Sequence, residues 1–315
     1  SLSTGRFSTG GRMKRSKIGL CALLLAISVA GCSGTPVKER PYILTMADEA
    51  SSAGVAAYME GDFVKAEARF RESLRMNRAV DNRPGELVDM INLGRAALEL
   101  GGPKGALALL EGALRLAYVL NDEAALSEAH ATLAKALHMT GDSSSALDHI
   151  EESIAIDGRL GRRRGALINM KGLIYLGAGR RPEAAALLTE ALKLNTDAND
   201  SAQAANSMRG LSELERDSGN LKEAYVYIER AYQADRSAAS PGRIALDLEM
   251  MADLRVTEGR HADGAFLYER SYLVSLSSGR TSEAVSRIEK LIKTYRDIGE
   301  EEKAQFYLAI RDGIL

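Results

Sequence analysis

The chain has 315 residues but no tryptophan, two cysteines, four histidines and six prolines, and only 5% of it is aromatic. Each scarcity excludes something. The cysteines, Cys21 and Cys32, both lie near the N-terminus, so no disulfide framework holds the remainder and packing alone must stabilise it. The histidines are His130, His138, His149 and His261. His130 and His138 are eight positions apart, about 12 Å along one helix, too far to share a metal ion without ligands from elsewhere. Phosphate-loop, Rossmann, nucleophile-elbow and two-histidine zinc patterns are absent. Gly177-Ala178-Gly179 is read as a turn, because Pro182 stands where a third phosphate-binding glycine belongs. No stretch alternates in the manner of a strand. The expectation is a protein that is not an enzyme and has no cofactor, metal or small-molecule substrate.

Charge excludes a further class. The formal net charge is −2, and the first 31 residues carry five basic side chains (Arg6, Arg12, Lys14, Arg15, Lys17) and no acidic one. Without them 36 Lys+Arg face 43 Asp+Glu, a net charge of −7. Nucleic-acid binding needs a basic surface and is disfavoured.

What is present is a repeat. Gly141-Asp142-Ser143-Ser144-Ser145-Ala146 is one copy of a Gly-x-x-x-x-Ala unit that recurs at Gly61…Ala66, Gly101…Ala106, Gly179…Ala184, Gly219…Ala224 and Gly299…Ala304, with Gly259…Gly264 as a variant. The leading glycines are 40, 40, 38, 40, 40 and 40 residues apart, a period that signals a stacked array. About 14 residues before each glycine carry helical periodicity. The glycine then ends that helix in a left-handed cap, and a second helix follows a short polar turn. Pro103 and Pro182 sit where a helix start tolerates a missing N–H. Along the second helix runs a small–large–small ladder: Ala66-Phe70-Ser73, Ala106-Leu110-Ala113, Ala146-Ile150-Ser153, Ala184-Leu188-Ala191 and Ala224-Ile228-Ala231. These positions share one face, where small residues admit a neighbouring helix and the large one fills the groove between them. Asp122, Ser201 and Ser240 are expected N-caps. Polar clusters such as Asp81-Asn82-Arg83-Pro84-Gly85 are expected between repeats.

This pattern resembles the tetratricopeptide (TPR) family. The Gly-(x)4-Ala-(x)3-large-(x)2-small run is the second half of that family's signature. Its first half shows at Leu93-Gly94 before Ala97, at Gly172 before Tyr175 and at Gly54. Missing tryptophan, few repeat-end prolines and a period near 40 depart from the family's usual pattern. The resemblance implies an all-α fold, a right-handed TPR solenoid of about seven helix-turn-helix repeats. They lie near 47–80, 87–120, 127–160, 165–198, 205–238, 245–278 and 285–315.

The N-terminal part reads differently. Met13, followed by Lys14-Arg15-Ser16-Lys17, is the expected true start. The apolar run at 18–30 is too short to span a bilayer. It ends at Val29-Ala30-Gly31-Cys32, which resembles the bacterial lipobox. That implies a signal peptide over 1–31 and lipidation of Cys32, with palmitate among the acyl chains. The rival is an ordinary secretory signal with an incidental cysteine. Residues 32–46 are the expected lipidated tether. Ser33 implies sorting to the outer membrane of a Gram-negative cell envelope, facing the periplasm.

In the TPR family function usually resides on the concave face lined by the first helices. The family's inward positions fall here on Asn92, Arg95, Lys135, His138, Asn169, Asn206 and Arg209, followed by Glu249 and Asp253, then Lys290 and Lys293. The first seven are the peptide-groove candidates, in part like the clamps that grip a peptide's terminal carboxylate. Ordinary solvated groove residues are the alternative. Arg162-Arg163-Arg164, with Arg159 and Arg180-Arg181, is either favourable charge at a helix end or a patch for acidic groups. The expected function is a membrane-anchored periplasmic protein–protein interaction scaffold or assembly factor for an envelope complex. A peptide-binding chaperone or carrier for exported proteins is the alternative. The expected partners are envelope proteins or peptides, with the membrane reached through the lipid.

Overall fold

The computed structural model describes residues 41–314, which contain fourteen α-helices and no strand. Seven pairs follow one another. They are α1 (Tyr42–Glu60) with α2 (Phe63–Ala79), α3 (Arg83–Glu99) with α4 (Pro103–Leu120), and α5 (Glu123–Met139) with α6 (Ser143–Arg159). Then come α7 (Gly165–Gly177) with α8 (Arg181–Asp197), α9 (Ser201–Asp217) with α10 (Leu221–Ser237), α11 (Pro241–Thr257) with α12 (His261–Ser277), and α13 (Thr281–Asp297) with α14 (Glu301–Ile314). Each helix packs on its successor, and α3, α5, α7 and α9 also pack on one another. The first helices thereby form one layer and the second helices another.

The turns explain the sequence punctuation. Gly61, Gly101, Gly141, Gly179, Gly219, Gly259 and Gly299 all have φ between 74° and 85°, where a side chain costs about 1–2 kcal/mol. At the first of them the Gly61 N–H bonds the Tyr58 carbonyl at 3.0 Å and the Asp62 N–H bonds that of Ala57 at 2.8 Å. This paired closure satisfies carbonyls that the helix end would otherwise leave open. The turns between repeats use the same left-handed position, filled by Asp81, Asn121, Gly161, Asn199, Ala239 and Gly279. Ala239, at φ 48°, has neither glycine's freedom nor a polar side chain to ease it.

Several expected boundaries shift. The helix α1 starts at Tyr42, so positions 42–46 of the expected tether are helical. Likewise Arg83, Pro84 and Gly85 form the first turn of α3 rather than a break. The first turn of α3 carries no apolar periodicity, which is why the sequence pattern starts late there. Asp122 does cap α5, accepting from the Ala125 N–H. Ser201 is instead the first helical residue, since Asp200 caps α9. Ser240 occupies the cap position of α11 but makes no capping bond. The short helix α7 begins after an extended Arg164 (φ −96°, ψ 120°).

The ladder of the second helices is the core. Ala106, Leu110, Ala113, Ala146, Ile150, Ser153, Ala184, Leu188, Ala191, Ala224, Ile228 and Ala231 are wholly inaccessible to solvent. Fully burying such a large apolar side chain contributes about 1.5–3 kcal/mol. Its partner on the first helix must be small: a Cβ on Gly94 would lie 2.5 Å from Leu110 Cδ2.

A second set of buried positions joins one repeat to the next. The seventh residue of a first helix meets the fifteenth of the helix before it. Asn77 donates to Asp89 at 2.7 Å, Asn195 to Ser207 at 3.1 Å and Arg287 to Ser275 at 2.8 Å. Between α4 and α5 the same pair is Ala117 and Ala129, both buried. Between α10 and α11 it is Asp235 and Asp247, and Arg209 of α9 bonds to both. The array also touches itself across one turn: Arg280, in the α12–α13 turn, donates to the Glu60 carbonyl at 3.3 Å and lies 5.6 Å from the Phe63 ring.

Candidate functional site

Because first helices stack side by side, their inward residues line one concavity. Its volume is about 780 Å³, and its wall runs from Tyr58 of α1 through Arg95 of α3 to α5, α7 and α9. Six of the seven groove candidates lie on it: Arg95, Lys135, His138, Asn169, Asn206 and Arg209. Asn92 does not; it accepts a long 3.5 Å bond from Arg95.

The cations of this wall are already engaged by the chain's own carboxylates. Arg95 pairs with Glu128. Lys135 pairs with Glu99 at 2.6 Å, and Tyr58 Oη donates to that same carboxylate at 3.2 Å. Burial, then the charge of Glu99, raises the Tyr58 hydroxyl pKa. Arg209 is only 7% exposed. Its guanidinium reaches Asp247 at 2.7 Å, Asn206 Oδ1 at 2.7 Å, and Asp235. Asn206 also donates to Gln203 at 3.1 Å. Arg209 thus stands at the joint between repeats and meets the concavity only at its edge.

Two wall residues are unlike these. Asn169 is 5% exposed and its Oδ1 has no hydrogen-bond partner. His138 is half-buried against Gly177, its Nδ1 is also without a partner, and burial lowers its pKa. His130 packs on His149, with Nδ1 atoms 2.9 Å apart. No group of three or more metal-ligating side chains occurs among the described residues.

The arginine run is largely bound inward. Arg162 reaches Asp157 at 2.7 Å, and Arg163 reaches Glu190 at 2.6 Å. Arg164 bonds to Asp157, Glu128 and Ser127. Burial alone would raise the Asp157 pKa, but the Arg164 hydrogen bond and the charges of Arg164 and Arg162 outweigh it and lower the value. Further along, Glu249 takes Arg287 at 3.1 Å and Lys290 at 2.7 Å, Asp253 takes Lys290 at 3.1 Å, and Lys293 pairs with Asp297 at 2.6 Å. Cys32 and the leader lie outside the described residues.

Sequence reasoning missed Glu128, Arg164 and Glu213 on this wall. Glu213 had a signal. Arg95, Lys135, Leu173, Glu213, Asp253 and Lys293 occupy one register position, 40, 38, 40, 40 and 40 residues apart. Leu173 interrupts the charged series just before it.

Tetratricopeptide repeat models match residues 48–118, 127–152 and 169–241. No curated protein matches the chain. Among solved structures, a Rap protein complexed with competence and sporulation factor is similar, at TM-score 0.67 and 12% identity, over 85% of this chain and 74% of that one. NprR in complex with its cognate peptide NprX is similar at TM-score 0.54 and 12% identity, over 84% and 77%. The apo form of RapI gives 0.56 and 13%, over 85% and 97%. At such identities the likeness is one of fold. In the described residues no helix is long and apolar enough to cross a membrane.

Proposed function

Starting from a chain that is a tetratricopeptide-repeat protein, we propose that it is a non-enzymatic interaction scaffold whose concave face binds a segment of another protein. The observation that carries this reading is the continuous concavity of about 780 Å³ built by successive first helices and lined by Arg95, Lys135, His138, Asn169 and Glu213. Similar folds hold such ligands: NprR is solved with its cognate peptide. Anchoring follows from Val29-Ala30-Gly31-Cys32. A diacylated Cys32 would hold the chain to the outer membrane, since each buried methylene contributes about 0.8 kcal/mol. The repeats would then face the periplasm and help to assemble an envelope complex.

Crosslinking in intact envelopes, followed by capture and mass spectrometry, tests both parts. Arg95→Glu with Lys135→Glu should change the set of partners that wild type captures, with helicity unchanged, while Lys222→Glu on the exposed face of α10 should keep it. Retention of every partner by the double variant would place binding elsewhere. Cys32→Ser should abolish palmitate labelling, and continued labelling would contradict the anchor.

A further inference from the structure

The one unpaired charge on the wall of the concavity is a carboxylate, and that selects the occupant. All four wall cations, Arg95, Lys135, Arg164 and Arg209, face carboxylates of their own chain. A carboxylate ligand would have to displace one of these pairs. Of the three wall acids, Glu128 is bound by both Arg95 and Arg164, and Asp217 by Arg216 at 2.9 Å. Glu213 has no hydrogen bond or ion pair, and it is held largely out of water on α9. Burial raises its pKa, and the charge of Arg216 only partly offsets this, because Arg216 already serves Asp217. On the neighbouring α7, Asn169 lines the same space, and its unpartnered Oδ1 is itself shielded from solvent.

We infer that the concavity takes a cationic protein segment, with a Lys or Arg side chain or an N-terminal ammonium on Glu213. The inference rests on the concave face being the binding surface, and it reverses the charge that a carboxylate clamp would select. Glu213 is the specificity determinant. Its register mates Arg95 and Lys135 are neutralised at the other end of the wall by Glu128 and Glu99.

Selection of random nonapeptides displayed on phage against the immobilised full chain tests this. Peptides recovered on wild type should be enriched in Lys and Arg. Their affinity, read by fluorescence anisotropy, should fall at least tenfold for Glu213→Gln. Changing the peptide's Lys to norleucine should weaken binding equally, and combining the two changes should weaken it no further. Glu213→Lys should select acidic peptides instead. If acetylating the N-terminus reproduces the loss and norleucine does not, the ammonium is the N-terminal one. Recovery of acidic or uncharged peptides that Glu213→Gln binds as tightly, yet Arg95→Glu with Lys135→Glu does not, overturns the cationic occupant and leaves the concave surface standing. If no peptide is recovered, or none of the groove variants alters binding, both fall.

Discussion

Two joints between repeats solve the burial of charge in opposite ways. At the α6–α7 joint one carboxylate, Asp157, meets two guanidiniums, Arg162 and Arg164. At the α10–α11 joint two carboxylates, Asp235 and Asp247, share the buried guanidinium of Arg209, with Arg243 at 3.9 Å from Asp235. The first arrangement holds the Asp157 pKa down despite its burial. In the second, burial outweighs Arg209 and the neighbouring Asp235 adds to it, so Asp247 is pushed up to about 7. The charge ratio at each joint thus sets the pH range over which its buried carboxylate stabilises the fold.

The largest expected effect removes the shared cation. Arg209→Met should destabilise by about 3–5 kcal/mol, because it leaves buried Asp247 with no cation and Asp235 with only the distant Arg243. Arg164→Met should cost clearly less, since Arg162 still serves Asp157. Urea midpoints of the two variants decide, and equal losses would show that charge ratio is irrelevant. Next in size, Ala146→Leu and Ala224→Leu overpack the ladder beside each joint and should each cost about 1–3 kcal/mol. Both alanines are wholly buried, so the two losses should match. Melting curves unchanged from wild type would mean that the ladder does not bear close contacts. The turns preceding the joints differ too, with Gly161 in one and Ala239 in the other, both at positive φ. Ala239→Gly should therefore relieve strain and stabilise by about 0.5–1 kcal/mol net of the added chain entropy; a lower melting temperature would contradict this.

The smallest effect is a difference in pH response. The folded Asp247 pKa lies above its unfolded value of about 3.9, so its stabilisation is complete below that value and is lost as pH rises through about 7. Asp157 is depressed, so its contribution is present above the unfolded value and is lost as pH falls through the folded one. Stability should then decline between about pH 4 and pH 7 and level off above, and Asp247→Asn should flatten that decline. Asp157→Asn should flatten the acid limb instead. An identical decline over that range in wild type and Asp247→Asn would refute the assignment.

The helix pairs and their core were readable from sequence because they obey constraints that repeat unchanged. A left-handed turn needs glycine at Gly61, Gly101 and Gly141 alike, and a close crossing needs Ala and a large residue at fixed spacing. The joints were not readable. Their partners lie 12, 26 and 38 positions apart, and their chemistry changes at each repeat, from Asn77–Asp89 to Asn195–Ser207 to Arg209–Asp235–Asp247. Arg209 was therefore legible as an inward residue, but its carboxylate partners were not. At the concavity Arg95 and Lys135 were placed by their register, whereas Glu213 was obscured by Leu173 and by the two-residue contraction before Gly179. The start of α9 was misjudged because Asp200 and Ser201 are both of a capping type, and that of α1 because Pro41 read as part of a tether.

The concave face as the working surface is tested most directly by hydrogen–deuterium exchange of the full chain with and without its crosslinked partner. Added protection should concentrate in the amides of α5, α7 and α9, around His138, Asn169 and Glu213. It should be absent from the outer faces of α6, α8 and α10. Protection confined to the second helices, with α5, α7 and α9 unchanged, would contradict the account.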